Sequence, residues 1–155
     1  MSEQRISLRD VDERAYKAVG SMSMYVAKSG LDKALVTMIE IRASQVNNCA
    51  WCLDMHTEEA RKAGVDQRKL DLLAAWSEAP AVFTSRERAA MALTEQVTLI
   101  ANGGVSDDVW EMVTTEFDDR EIVSLIMAIS TINIYNRMNV AAHTTVGPER
   151  FVPNW

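Results

Sequence analysis

The chain has 155 residues, is 48% hydrophobic and 25% charged, and carries a net charge of −6 with a pI of about 4.9. That is the size and balance of one domain able to bury a full core, and its acidity argues against binding nucleic acid or an anionic membrane surface. Only six glycines and three prolines, with abundant Ala, Met, Glu and Arg, favour helix over sheet.

In chain order, Ser7 to Lys28 has the pattern of one helix. Ser7 with Asp10 resembles a capping box, and Val11, Ala15, Ala18, Val19, Met22 and Val26 mark an apolar stripe that Gly30 ends. A second helix runs from Asp32 towards Asn47 with Leu35, Val36, Ile39, Ala43 and Val46 turned inward. Adjacent asparagines favour caps and turns, so Asn47 and Asn48 read as a break. The third helix begins around Cys49 and stops at Gly64, with Arg61 and Lys62 in its last turn. A shorter fourth fits Asp66 to Trp76 before Pro80 interrupts. Thr84-Ser85-Arg86-Glu87 has the form of a capping box and opens a fifth helix reaching about Ile100. After the loop Asn102-Gly103-Gly104, Ser106 caps a sixth helix to Phe117, and Asp118 or Asp119 caps a seventh to about Val140. The tail from Thr144 to Trp155 reads as irregular.

No segment alternates as a strand does, so the expectation is an all-α single domain of about seven helices. The most apolar run, Ile122 to Ile134, is too short and too polar to span a bilayer. With no basic, apolar leader at the start, the expectation is a cytoplasmic protein. A faint internal repeat aligns Val36, Ile39, Ile41, Ser44, Val46 and Asn47 with Ile122, Leu125, Met127, Ser130, Ile132 and Asn133 at a constant offset. In the second copy Tyr135 and Met138 stand where the first has cysteines.

Both cysteines fall in one stretch, Cys49-Ala50-Trp51-Cys52-Leu53-Asp54-Met55-His56. At roughly 100° per helical residue, Cys52 and His56 share one face a turn apart. Cys49 is one turn before Cys52, close enough for a disulfide if the side chains converge. A free thiol has a pKa of roughly 8.5, and a helix start, a neighbouring imidazole and a Cys-x-x-Cys motif each favour its thiolate. Attack on a hydroperoxide would leave a sulfenic acid that a second cysteine resolves as a disulfide, which an external dithiol reopens. No glycine-rich phosphate cradle is present, so no bound NAD or flavin is indicated, and no metal site is assigned.

The stretch Arg42 to Cys52, continuing through His56, resembles the core of the alkylhydroperoxidase D-like (AhpD-like) proteins of the carboxymuconolactone decarboxylase superfamily. The likeness extends to Ala60–Gly64, Thr84–Ala90, Phe117–Ile122 and Ser130–Asn133 with Asn136-Arg137, and so covers about Leu31 to Val140. It implies an all-helical fold, assembly into homo-trimers or homo-hexamers, and a dithiol that reduces peroxides or exchanges disulfides at the expense of a dithiol or protein reductant. By that resemblance Cys52 is the peroxide-attacking thiol, Cys49 the resolving thiol and His56 part of a proton relay.

One feature departs from the family. Members usually place a glutamate twelve residues before the first cysteine, and here that position is Thr37. The nearest carboxylate, Glu40, lies a turn further along the same helix and is the candidate to replace it. Other readings compete: a zinc site of Cys49, Cys52, His56 and His143; two buried inert cysteines; a non-catalytic oligomer of the same fold; or a lactone decarboxylase, against which the cysteine pair counts. His143, near a helix end, reads as a C-terminal cap and Trp51 as packing.

Overall fold

The computed structural model describes residues 3–148. Among these, eight α-helices and two 3₁₀ turns occur and no strand. The helices are α1 (Leu8–Val11), α2 (Glu13–Ala27), α3 (Lys33–Val46), α4 (Ala50–Lys62), α5 (Gln67–Leu72), α6 (Ser85–Thr98), α7 (Asp107–Glu116) and α8 (Asp119–Ala142). None of the described helices is long and apolar enough to cross a membrane.

Helix starts follow the side-chain caps. Asp32 accepts from the N–H groups of Ala34 and Leu35, and Ser106 from that of Val109. Thr84 with Glu87 and Asp118 with Glu121 form complete, reciprocal capping boxes. Each such cap supplies acceptors to orphan amides and is worth ~1 kcal/mol.

Helix α3 is the hub, packed against α4, α6 and α8. Its Met38, Ile39 and Ile41 meet Met91 and Leu93 of α6, Val113 of α7, and Leu125 and Ile129 of α8 in one closed core. Burying side chains of this size contributes about 1.5–3 kcal/mol each. At the rim, Oε1 of Glu95 on α6 accepts from Arg42 Nε of α3 at 2.7 Å and from Trp76 Nε1 at 2.6 Å, tying three elements to one oxygen.

The first expected helix is two. Asp12 adopts an extended conformation (φ −144°, ψ 90°), ends α1, and turns its carboxylate onto the Arg14 N–H to start α2. Its short acceptor side chain serves a helix start better than a helix interior. The apolar stripe read there is largely at the surface: Val26 is buried, while Val11 is 71% exposed. The expected fourth helix stops at Leu72 and tightens into a 3₁₀ turn, Leu73–Glu78, kinked at Ala75. The fifth ends at Thr98, followed by a 3₁₀ turn Ile100–Asn102. The seventh continues to Ala142, where His143 turns left-handed (φ 52°) and closes it. Residues 144–148 have no regular structure, and the rest of the expected tail lies outside the described residues.

Candidate active site

The site is made where α3 gives way to α4, and two residues accomplish the change. Asn48 is left-handed (φ 55°), a conformation that asparagine tolerates far better than bulkier residues. Its N–H bonds the Gln45 carbonyl at 3.3 Å, and that of Cys49 bonds the Ser44 carbonyl at 3.0 Å. This crossed pair is the Schellman closure of a helix. Cys49 then caps α4: its sulfur accepts from the backbone N–H of Cys52 at 3.4 Å. One residue therefore closes one helix and opens the next.

The two sulfurs are joined as a disulfide, with the Cα atoms 5.4 Å apart. Both cysteines are buried, 2% and 1% exposed, among Ala43, Ile132, Trp51 and Tyr135. Their polar partners differ. The Cys49 sulfur accepts from the Cys52 N–H, whereas that of Cys52 accepts from Nδ2 of Asn139, on α8, at 3.6 Å.

One turn beyond Cys52 on α4, His56 is 7% exposed. Its Nδ1 lies 3.2 Å from Glu40 Oε2 and 2.7 Å from Glu59 Oε2. Burial alone would push the imidazole pKa down; the charge and hydrogen bond of Glu40, joined by those of Glu59, outweigh it and raise the pKa from 6.5 to about 10. In the disulfide state the ring is therefore an imidazolium at neutral pH.

A chain of amides fixes the base of the site. Nδ2 of Asn47 donates to Oδ1 of both Asn133 and Asn136, each at 2.9 Å. Asn136 donates to Ser44 Oγ at 2.9 Å, and that hydroxyl donates to the Glu40 carbonyl at 2.7 Å. Asn133 in turn donates to Thr98 Oγ1 at 2.9 Å. The end of α3 is thus bolted to α8 by buried and half-buried polar groups that satisfy one another.

Glu40, named from sequence, lies beside His56, and Cys49 and Cys52 sit a turn away. Thr37 is buried with its hydroxyl donated to the Ala34 carbonyl at 2.9 Å. The disulfide takes both sulfurs out of the four-ligand zinc arrangement, and His143 closes α8. Sequence reasoning missed Glu59 and Asn139. Glu59 had a signal, since it stands three residues after His56 on the same helix. Asn139 reaches Cys52 only through the packing of α8 on α4 and had none.

An all-helical fold with a cysteine pair capping a helix, and a histidine one turn on, is the AhpD-like class of protein. The chain belongs to the carboxymuconolactone decarboxylase family, whose model matches residues 13–96. It is 35% identical over 138 residues to the uncharacterized protein YdfG of Bacillus subtilis strain 168, covering 89% of this chain and 93% of that one. Among solved structures it resembles a protein of unknown function from Agrobacterium tumefaciens described as a candidate antioxidant defence protein AhpD. That likeness has a TM-score of 0.91 and 37% identity over 95% of this chain and 100% of the other. An uncharacterized peroxidase-related protein from Silicibacter sp. TM1040 shares the fold, with a TM-score of 0.77 and 22% identity over 90% of this chain and 73% of that one.

Proposed function

We propose that the protein is a thiol-dependent peroxidase of antioxidant defence. Cys52 attacks the peroxide, Cys49 resolves the product, and His56 with Glu40 and Glu59 manages the proton. The observation that carries this reading is the Cys49–Cys52 disulfide at the start of α4, a turn before a histidine held by two carboxylates.

In the reduced enzyme His56 is the imidazolium that the carboxylates hold, and its charge keeps Cys52 as the thiolate that disulfide opening leaves behind. The amide of Asn139 favours the thiolate at the same sulfur. The thiolate attacks the terminal oxygen of a hydroperoxide, an S–O bond forms as O–O breaks, and the alkoxide leaves as an alcohol with the His56 proton. Cys49 then displaces hydroxide from the sulfenic acid; its thiol proton departs with that hydroxide as water, and the disulfide forms. An external dithiol, or a protein carrying one, reopens it by exchange and is itself oxidised. Glu40 here takes the part that the family gives to a glutamate at the Thr37 position.

Self-association belongs to the same proposal. Val11, Met24, Trp110 and Val123 are apolar and exposed, surface that a trimer or hexamer would cover. Light scattering should then give a mass well above 17.3 kDa.

The decisive assay follows peroxide consumption with a generic dithiol. The wild type should turn over and Cys52→Ser should fall to background. Cys49→Ser should accumulate a sulfenate on Cys52 that a dimedone-type reagent traps. Undiminished turnover in Cys52→Ser would end the reading.

A further inference from the structure

We propose that Glu40, His56 and Glu59 form a binding site for a divalent first-row transition cation, with Nδ1 of the histidine and one oxygen of each glutamate as ligands. One ligand atom from each of the three residues falls within 4.8 Å of the others. The separations from Nδ1, 3.2 Å to Glu40 and 2.7 Å to Glu59, are near those of ligands around a tetrahedral ion. Bonds of about 2.0–2.2 Å at tetrahedral angles put neighbouring ligand atoms about 3.4 Å apart. A shift of the Glu59 carboxylate by several tenths of an ångström would admit the ion.

The setting favours occupancy. The glutamate side chains are only 23% and 22% exposed, and the histidine is more deeply buried. Without a proton on Nδ1, the two carboxylates give the trio a formal charge of −2. A dication in place of the Nδ1 proton makes it neutral. The construction also suits helices: His56 and Glu59 are three apart on α4, and Glu40 comes from the neighbouring α3, as in metal sites that bundles build from facing helices. One nitrogen and two oxygens select zinc and its neighbours over calcium or magnesium, and three protein ligands leave a position for water.

The inference stands apart from the peroxidase proposal, because its test uses the oxidised protein, whose disulfide leaves no thiolate to bind metal. Calorimetric titration of the oxidised full chain with zinc should show one ion per chain. Glu59→Gln and Glu40→Gln should each weaken binding by roughly tenfold or more. Cobalt in the same site should give a visible spectrum without a sulfur-to-cobalt charge-transfer band. In the wild type, zinc should shift the ring resonances of His56 and leave those of His143 in place. That reading needs no variant and survives if a substitution fails to fold. No stoichiometric zinc, an affinity unchanged in both glutamine variants, or an unmoved His56 signal would each overturn the site.

Discussion

Helices α3 and α8 begin alike and end differently, and the difference makes the site. Asp32 caps one and Asp118 the other. At the same spacing of 86 residues, Asn47 and Asn133 are hydrogen-bonded to each other. One position later the two part company. Asn48 turns left-handed and breaks the chain into a new helix, whereas Ile134, whose β-branched side chain resists that conformation, carries α8 straight on. The break supplies a fresh helix start, and Cys49 occupies it; the counterpart of Cys49 is Tyr135, which packs against the cysteines instead. Glu40 and His56 correspond to Ile126 and Ala142, so α8 carries the architecture without the chemistry.

The largest expected effect sets the charged helix pair against its apolar counterpart through pH. Because the His56 pKa is raised from 6.5 to about 10 in the oxidised fold, its stabilisation is complete below pH 6.5. It is lost as pH rises through 10. Urea denaturation of the oxidised protein should show a loss on the order of a few kcal/mol across that window, and His56→Gln should remove most of the slope. Matching slopes in the two proteins would mean that the carboxylates do not hold the ring as described.

Next comes turnover. Glu40→Gln keeps the size of the side chain and removes its charge, so it should slow peroxide consumption on the order of a hundredfold. Glu59→Gln should act in the same direction, and both should raise the Cys52 pKa, read as thiolate absorbance against pH. Unaltered rates and titrations would reduce both glutamates to structural partners of the ring.

The paired serines offer a smaller contrast. Ser44→Ala strands the buried Asn136 amide and should cost about 1–3 kcal/mol. Ser130→Ala, at the matching point of α8, should stay within about 0.5 kcal/mol. Equal costs, measured by chemical denaturation, would show that the polar bolt between α3 and α8 contributes nothing special. Smallest is the junction itself: Asn48→Ile should cost about 1–2 kcal/mol, the penalty of a left-handed L-residue. Asn48→Gly should be close to neutral. An isoleucine tolerated without loss would show that the α3–α4 break does not depend on that backbone state.

Much of this was legible in the chain because helix boundaries are local. Thr84 with Glu87, Asp118 with Glu121, and the asparagine pair before Cys49 each announce a terminus within four residues. Asp12 was not legible, since Ser7 offers an equally good cap five residues earlier and the apolar pattern runs through both. The cysteines and His56 could be placed on one face by helical spacing alone. That Glu40 reaches the same ring depends on how α3 packs on α4, and Asn139 on how α8 crosses beneath; no spacing along the chain encodes either contact.

The disulfide closes across a sequence separation of three residues. Cross-linking so short a loop removes roughly 2 kcal/mol of freedom from the unfolded chain, against roughly 4.7 for a loop of about a hundred residues. Its opening therefore takes little from the cohesion of a domain whose main core and amide bolt lie elsewhere. A bond of this reach is poorly suited to stapling a fold.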